Sequence, residues 1–131
     1  MTLDIQKIDW SDSMMESVLV QYDTITIQIK HDDYSEPLLL ACTQCAGMTQ
    51  LVTWDEAILE SITIEQVDKA HCGVLVQAEQ AYQGDLPYLE KSFADVFWQI
   101  RIALIDHTWF DIICKQYRLL CHKDQEAISN A

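Results

Sequence analysis

The sequence predicts an α+β domain built mainly on an antiparallel sheet of five to seven strands, with one or two helices. Residues 24–30 alternate apolar and polar side chains, with Ile25, Ile27 and Ile29 on one face. Residues 98–104 alternate in the same way, which is the period of a strand with one buried face. Residues 67–82 instead repeat apolar side chains at intervals of three and four, as on one face of a helix.

The first half of the chain predicts consecutive strands joined by short connections. Asp23-Thr24 is short enough for a tight hairpin turn, and the polar loop after Lys30 ends at Pro37. Gly47 is expected at a further turn. The expected strands are residues 17–22, 24–30, 38–43, 48–53 and 58–65.

The second half predicts a helical region followed by a second hairpin. Gly73 and the apolar run that follows it favour a strand, so residues 66–83 are open to either interpretation. Residues 88–95 could form a short helical turn. Strands at 98–104 and 109–120 are joined through residues 106–108, and the polar tail 123–131 is expected to fray. We expect one domain over residues 1–131.

Charge is the strongest clue to function. Eight basic and 21 acidic residues give a net charge of −13, which repels phosphate and disfavours binding to nucleic acid or to an anionic membrane. The N-terminus has no signal-peptide pattern and no apolar run spans a bilayer, so we expect a cytoplasmic protein. An acidic surface serves solubility, and it also attracts a basic protein partner.

Five cysteines, an odd number, favour reduced thiols over a disulfide framework. Cys42 and Cys45 form a C-x-x-C motif, but three-residue spacing in a strand sends their side chains to opposite faces unless Cys45 lies in a turn. We therefore expect neither structural zinc nor an intrachain disulfide, and no cofactor.

His31 and the nearby acids are expected to form a solvated hairpin loop. Nucleophile-elbow and phosphate-loop motifs do not occur, so the sequence favours a binding protein over an enzyme.

Two tryptophans flanked by acids are candidates for the centre of a binding surface. Tryptophan anchors interfaces because it buries a large area at small entropic cost, and nearby acids would pair with Lys or Arg of a partner. The alternative is that these tryptophans fill the core. The candidate residues are Trp10, Asp12, Asp32, Asp33, Trp54, Asp55 and Glu56.

Two other functions compete with this hypothesis. A small-molecule-binding or enzymatic module would use an apolar pocket with His107 at its mouth, lined by Trp98, Trp109 and Phe110. A structural subunit would instead pair an exposed strand edge with a copy of itself, forming a homo-oligomer.

A family resemblance extends over residues 16–120. The strand pair 16–27, Trp54 ahead of residues 58–64, and the segment 111–115 occur in the order found in small bacterial domains of the immunity type. The chain resembles these domains, which neutralise the toxins of polymorphic toxin systems. They commonly have an Asp-Ser pair before the first strand, and here Asp12-Ser13 stands upstream of Val18. The resemblance implies binding without catalysis.

Overall fold

The computed structural model describes residues 2–51, 57–68, 70, 72–81 and 96–121. These residues form a predominantly antiparallel sheet with one short α-helix, as predicted, and the described part is nearly all β. In chain order the elements are β1 (Thr2–Leu3), a 3-10 helix (Ile5–Lys7), β2 (Met14–Gln21), β3 (Thr24–Lys30), β4 (Leu38–Leu51), β5 (Leu59–Val67), α1 (Gly73–Ala81), β6 (Phe97–Leu104) and β7 (Trp109–Leu120). None of the described helices is long and apolar enough to cross a membrane.

The strands are ordered β2-β3-β4-β7-β6-β5, with β1 paired to the end of β7, and every pairing is antiparallel. The two outermost strands, β2 and β5, approach each other where Met14 pairs with Ile58. The Met15 amide donates to the Ala57 carbonyl at 2.8 Å, and the Leu59 amide donates to the Ser13 carbonyl at 2.7 Å. The sheet is therefore curved, and the concave side that it encloses is called the inner face.

The inner face forms the main core. The predicted alternation is confirmed on β3 and β6, where Ile25, Ile27 and Ile29 are at most 3% exposed and Ile100 and Ile102 are fully buried. Because side chains alternate along a strand, each contributes its apolar set to one side of the sheet. Phe110 and Ile112 of β7 belong to the same core, as do Ile5 and Trp10 of the N-terminal segment.

A second, smaller core lies on the outer face, under α1. Leu75 of the helix is fully buried among Val67, Cys72, Phe97 and Ile113. The region left open between helix and strand is thus a helix over 73–81 and a strand up to Val67.

Gly47 allows α1 to approach β4 closely. A Cβ atom at this position would lie 2.8 Å from Cγ1 of Val74. The position therefore has no room for a side chain unless Val74 moves, which explains a glycine in the middle of a strand.

Several predicted boundaries need correction. The strands expected at 38–43 and 48–53 are one strand, β4, and Gly47 lies at a register shift within it rather than in a turn. β2 begins at Met14, before the expected residue 17, and the turn is Tyr22-Asp23, with φ of 54° at Tyr22. The predicted helical turn at 88–95 and the tail at 123–131 lie outside the described residues.

Candidate interaction surface

His31 joins two loops at one end of the β2–β3 hairpin. Its side chain is 7% exposed, and Nδ1 accepts the Asp33 amide at 3.0 Å. Since Nδ1 is an acceptor, Nε2 carries the proton and donates to the Asp9 carbonyl at 2.7 Å. The neutral ring thereby ties residues 9–13, ahead of β2, to residues 31–37, between β3 and β4. We call these two segments the acidic loop pair.

The acidic loop pair presents carboxylates to solvent. Its exposed acids are Asp9, Asp12, Asp32, Asp33 and Glu36. Between Asp9 and Glu36 the chain has seven acids and one base, so the surface is strongly negative. The side-chain and backbone hydrogen bonds from Ser11, at 2.6 and 3.1 Å, lower the pKa of the Asp9 carboxyl. The fold thus joins the loop that carries Asp12 to the loop that carries Asp32 and Asp33.

Trp10 is buried beneath the acidic loop pair, against His31, and is not part of the exposed surface. The side chain is 3% exposed, and its indole N–H donates to the Ile5 carbonyl at 3.0 Å. The ring packs edge-on against His31, which packs in turn on Tyr34. Of the two alternatives for Trp10, the structure therefore shows the core tryptophan and not the exposed anchor, because its apolar ring is buried in the main core. Trp54, Asp55 and Glu56 lie outside the described residues.

The three aromatic residues expected to line a pocket, with His107 at its mouth, do not share one face of the sheet. Phe110 is fully buried in the main core, whereas its neighbour Trp109 lies on the opposite face, with the Arg101 guanidinium 5.3 Å from its ring centre. Trp98 packs edge-on against Tyr117, with ring centres 5.5 Å apart. His107 is exposed in the β6–β7 turn, at φ 70°. Consecutive strand residues point to opposite faces, so Trp109 and Phe110 cannot share a pocket wall.

Three thiols meet on the inner face, contrary to the expected divergence of Cys42 and Cys45. Gln44, which lies between them, has a φ of 53° and interrupts the regular alternation, so that Cys45 returns to the side of Cys42. Its thiol donates to the Cys42 carbonyl at 3.4 Å, and Cys45 is the cross-strand partner of Cys114. No disulfide joins the five cysteines, all of which lie in the described part of the chain. Among the described residues, no group of three His, Cys, Asp or Glu side chains could hold a metal ion.

The surroundings of these thiols suppress their reactivity. Hydrogen bonding with Cys114, followed by burial, raises the pKa of the Cys45 thiol far above its usual range. Hydrogen bonding with Cys42 has the same effect on the pKa of Cys114. Since the thiolate is the nucleophile and the metal ligand, such thiols act as apolar core residues at neutral pH.

Arg101 and Asp111 form an ion pair that the sequence analysis did not identify. The Arg101 Nε and Nη2 groups donate to the two carboxylate oxygens of Asp111 at 2.8 and 3.0 Å, and this pairing raises the pKa of the guanidinium. The Asp111 amide donates to the hydroxyl of Thr49. The two residues are direct cross-strand partners, so the register of the predicted β6–β7 hairpin was the signal that could have found them.

Exposed apolar side chains on β2 are the second feature that the sequence analysis missed. Leu19 is 51% exposed, Val20 58%, and Tyr22 at the following turn fully. The uninterrupted apolar run 18–20 was the available signal, because a strand with one solvated face should alternate.

Comparison with protein-family models found no family that matches the chain, and comparison with curated proteins found no similar sequence.

Proposed function

We propose that this domain is a non-enzymatic binding protein for a basic protein partner, of the kind represented by immunity-type inhibitors of toxins. The acidic loop pair is the observation that carries the proposal. Its five exposed carboxylates lie on two loops that His31 holds together, so they act on an approaching partner as one negative surface. Clustered charges of one sign steer an oppositely charged partner and raise its rate of association.

The resemblance to immunity-type domains supports the same function. β2 begins at Met14, so Asp12-Ser13 directly precedes the first long strand, which is where these families commonly have an Asp-Ser pair. An enzymatic function through the aromatic residues has no comparable support, because Trp109 lies on the face of the sheet opposite to Trp98 and Phe110.

The first experiment is to identify the partner and measure how fast it associates. Immobilised protein is used to capture partners from a lysate of the source organism, and the captured protein is then produced recombinantly. We expect a basic protein whose association rate falls as salt is added. Asp32→Lys and Asp33→Lys, each at an exposed carboxylate, should lower that rate by roughly fivefold or more at low ionic strength.

Glu65→Lys is the matched control, because it makes the same charge change at an exposed position on β5. It should leave the rate nearly unchanged. An acidic partner, an association rate independent of salt, or equal effects of Asp32→Lys and Glu65→Lys would each contradict the proposal.

A further inference from the structure

The β2 edge combines exposed apolar side chains with backbone that lacks a neighbouring strand in the described part of the chain. Four of the seven large apolar side chains found exposed there belong to β2 and its turn: Met14, Leu19, Val20 and Tyr22. Met14 and Met15 contact residues 57–58. In the rest of β2, no described backbone group hydrogen-bonds to the edge that faces away from β3. Edge strands in natural proteins are commonly protected by Lys or Pro, and β2 contains neither.

The hairpin geometry indicates which groups of β2 point outward. A two-residue turn closes with the Gln21 carbonyl and the Thr24 amide, so this cross-strand pair is hydrogen-bonded. Hydrogen-bonded pairs alternate along an antiparallel ladder. The backbone groups of Val18 and Val20 therefore point away from β3, where an added strand would bind them.

The negative charge of the β2 edge and of the whole chain indicates what kind of strand can pair with this edge. The only charged residue on β2 is Glu16, and the turn adds Asp23, both exposed. A second copy of this chain would bring another net charge of −13 against the first, which opposes pairing of two β2 edges. An extended segment with Lys or Arg would instead meet acids at both ends of the edge.

We propose that β2 is a docking edge for an extended basic segment of the partner, which adds to the sheet as a strand. The inference rests on the proposed function, since it specifies how the basic partner is held. Main-chain hydrogen bonds to Val18 and Val20 supply affinity, and Leu19, Val20 and Tyr22 offer apolar contacts on both sides of the added strand. The acidic loop pair then accounts for the rate of encounter, and β2 for the lifetime of the complex.

A peptide titration tests the docking edge without a known partner. The probe is a capped peptide of about ten residues in which Val and Lys alternate, added to the ¹⁵N-labelled full chain, with a Val–Glu peptide of equal length for comparison. We expect saturable shifts of the amide signals of residues 17–22, and binding of the Val–Glu peptide weaker by about tenfold or more. Val20→Pro removes an outward amide and should weaken binding by about tenfold, whereas Val20→Thr, which keeps the amide and alters one apolar contact, should weaken it by no more than about twofold.

Peptides N-methylated on alternate residues provide a test that does not depend on the folding of Val20→Pro. Methylation along one edge of the peptide should abolish binding and methylation along the other should not. Absence of saturable binding, or equal binding of the Val–Glu peptide, would overturn the inference. Shifts confined to residues 9–13 and 31–36 that survive Val20→Pro would overturn it as well, while leaving the proposed function intact. Shifts of β2 that depend on protein concentration without peptide would assign the edge to a second copy.

Discussion

The two hairpins of this domain have similar sequence patterns and different positions in the sheet. The β6–β7 hairpin lies in the middle, with β5 on one side and β4 on the other. The β2–β3 hairpin pairs with β4 only through β3, so β2 is the outermost strand of the sheet. Phe110 of the central hairpin is fully buried, while Val20 of the outer hairpin is 58% exposed.

This contrast separates stability from availability for binding. Phe110 of the central hairpin is covered by the other core side chains of the inner face, so its transfer from water contributes to the free energy of folding. An apolar side chain on β2 is still in contact with water, and that contribution is available to a partner. Both hairpins are recognisable as strands from the sequence, and only the uninterrupted apolar run 18–20 distinguishes β2.

The largest expected difference between the hairpins is in stability. Phe110→Ala should lower the free energy of unfolding by about 3–5 kcal/mol, because it removes a fully buried ring and leaves a cavity. Val20→Ala, at the exposed edge, should change it by no more than about 0.5 kcal/mol. Urea denaturation followed by circular dichroism measures both values.

If Val20→Ala destabilised the protein as much as Phe110→Ala, the β2 edge would be part of the core and the contrast would fail. Val20→Ala also provides a folded background in which the peptide titration can separate the contribution of the side chain from that of the backbone amide.

A smaller effect is expected at the ion pair of the central hairpin. Arg101→Ala should cost about 2–3 kcal/mol, because it leaves the Asp111 carboxylate, whose side chain is 11% exposed, without its bidentate partner. The value is set below that of a fully buried pair because the Arg101 side chain is 45% exposed and solvent screens it.

Arg118→Ala removes an exposed guanidinium from the same strand as Asp111 and is the matched control. It should change the free energy of unfolding by no more than about 0.5 kcal/mol. Similar losses for Arg101→Ala and Arg118→Ala would indicate a general charge effect rather than the specific pair.

The sequence predicted the strands best where alternation is regular. On β3 and β6, each strand buries one face in the same core, so a local pattern is sufficient. β4 was divided into two expected strands because glycine is common in turns. In the structure, the missing side chain of Gly47 instead leaves room for Val74 of α1. That packing joins segments far apart in the chain, and a local pattern does not contain it.

The same limit applies to the candidate surface. Acids of both loops were candidates for a binding surface from the sequence, and the fold joins the loops through the hydrogen bonds of His31. The burial of Trp10 was not predictable from its acidic neighbours, since it depends on where the N-terminal segment crosses the rolled sheet. Exposure of Leu19 and Val20 likewise depends on the place of β2 at the end of the strand order.

The smallest effect expected of a single group is the loss of stability at high pH that each raised thiol causes in the cluster of Cys42, Cys45 and Cys114, called here the thiol cluster. The unfolded chain releases thiol protons near the ordinary value of 9.0, whereas hydrogen bonding among the thiols and burial raise the pKa of Cys45 and Cys114 in the folded state. Above about pH 9 unfolding therefore releases protons, so stability is complete below that pH and falls above it by up to about 1.4 kcal/mol per pH unit for each thiol. Urea denaturation between pH 7.5 and 10, in the presence of a reductant, measures the slope of stability against pH.

The double substitution Cys45→Ala/Cys114→Ala should flatten this slope, and Cys121→Ala, outside the cluster, should leave the slope unchanged. Equal slopes for the wild-type chain and the double variant would show that the cluster does not hold its protons in the folded state.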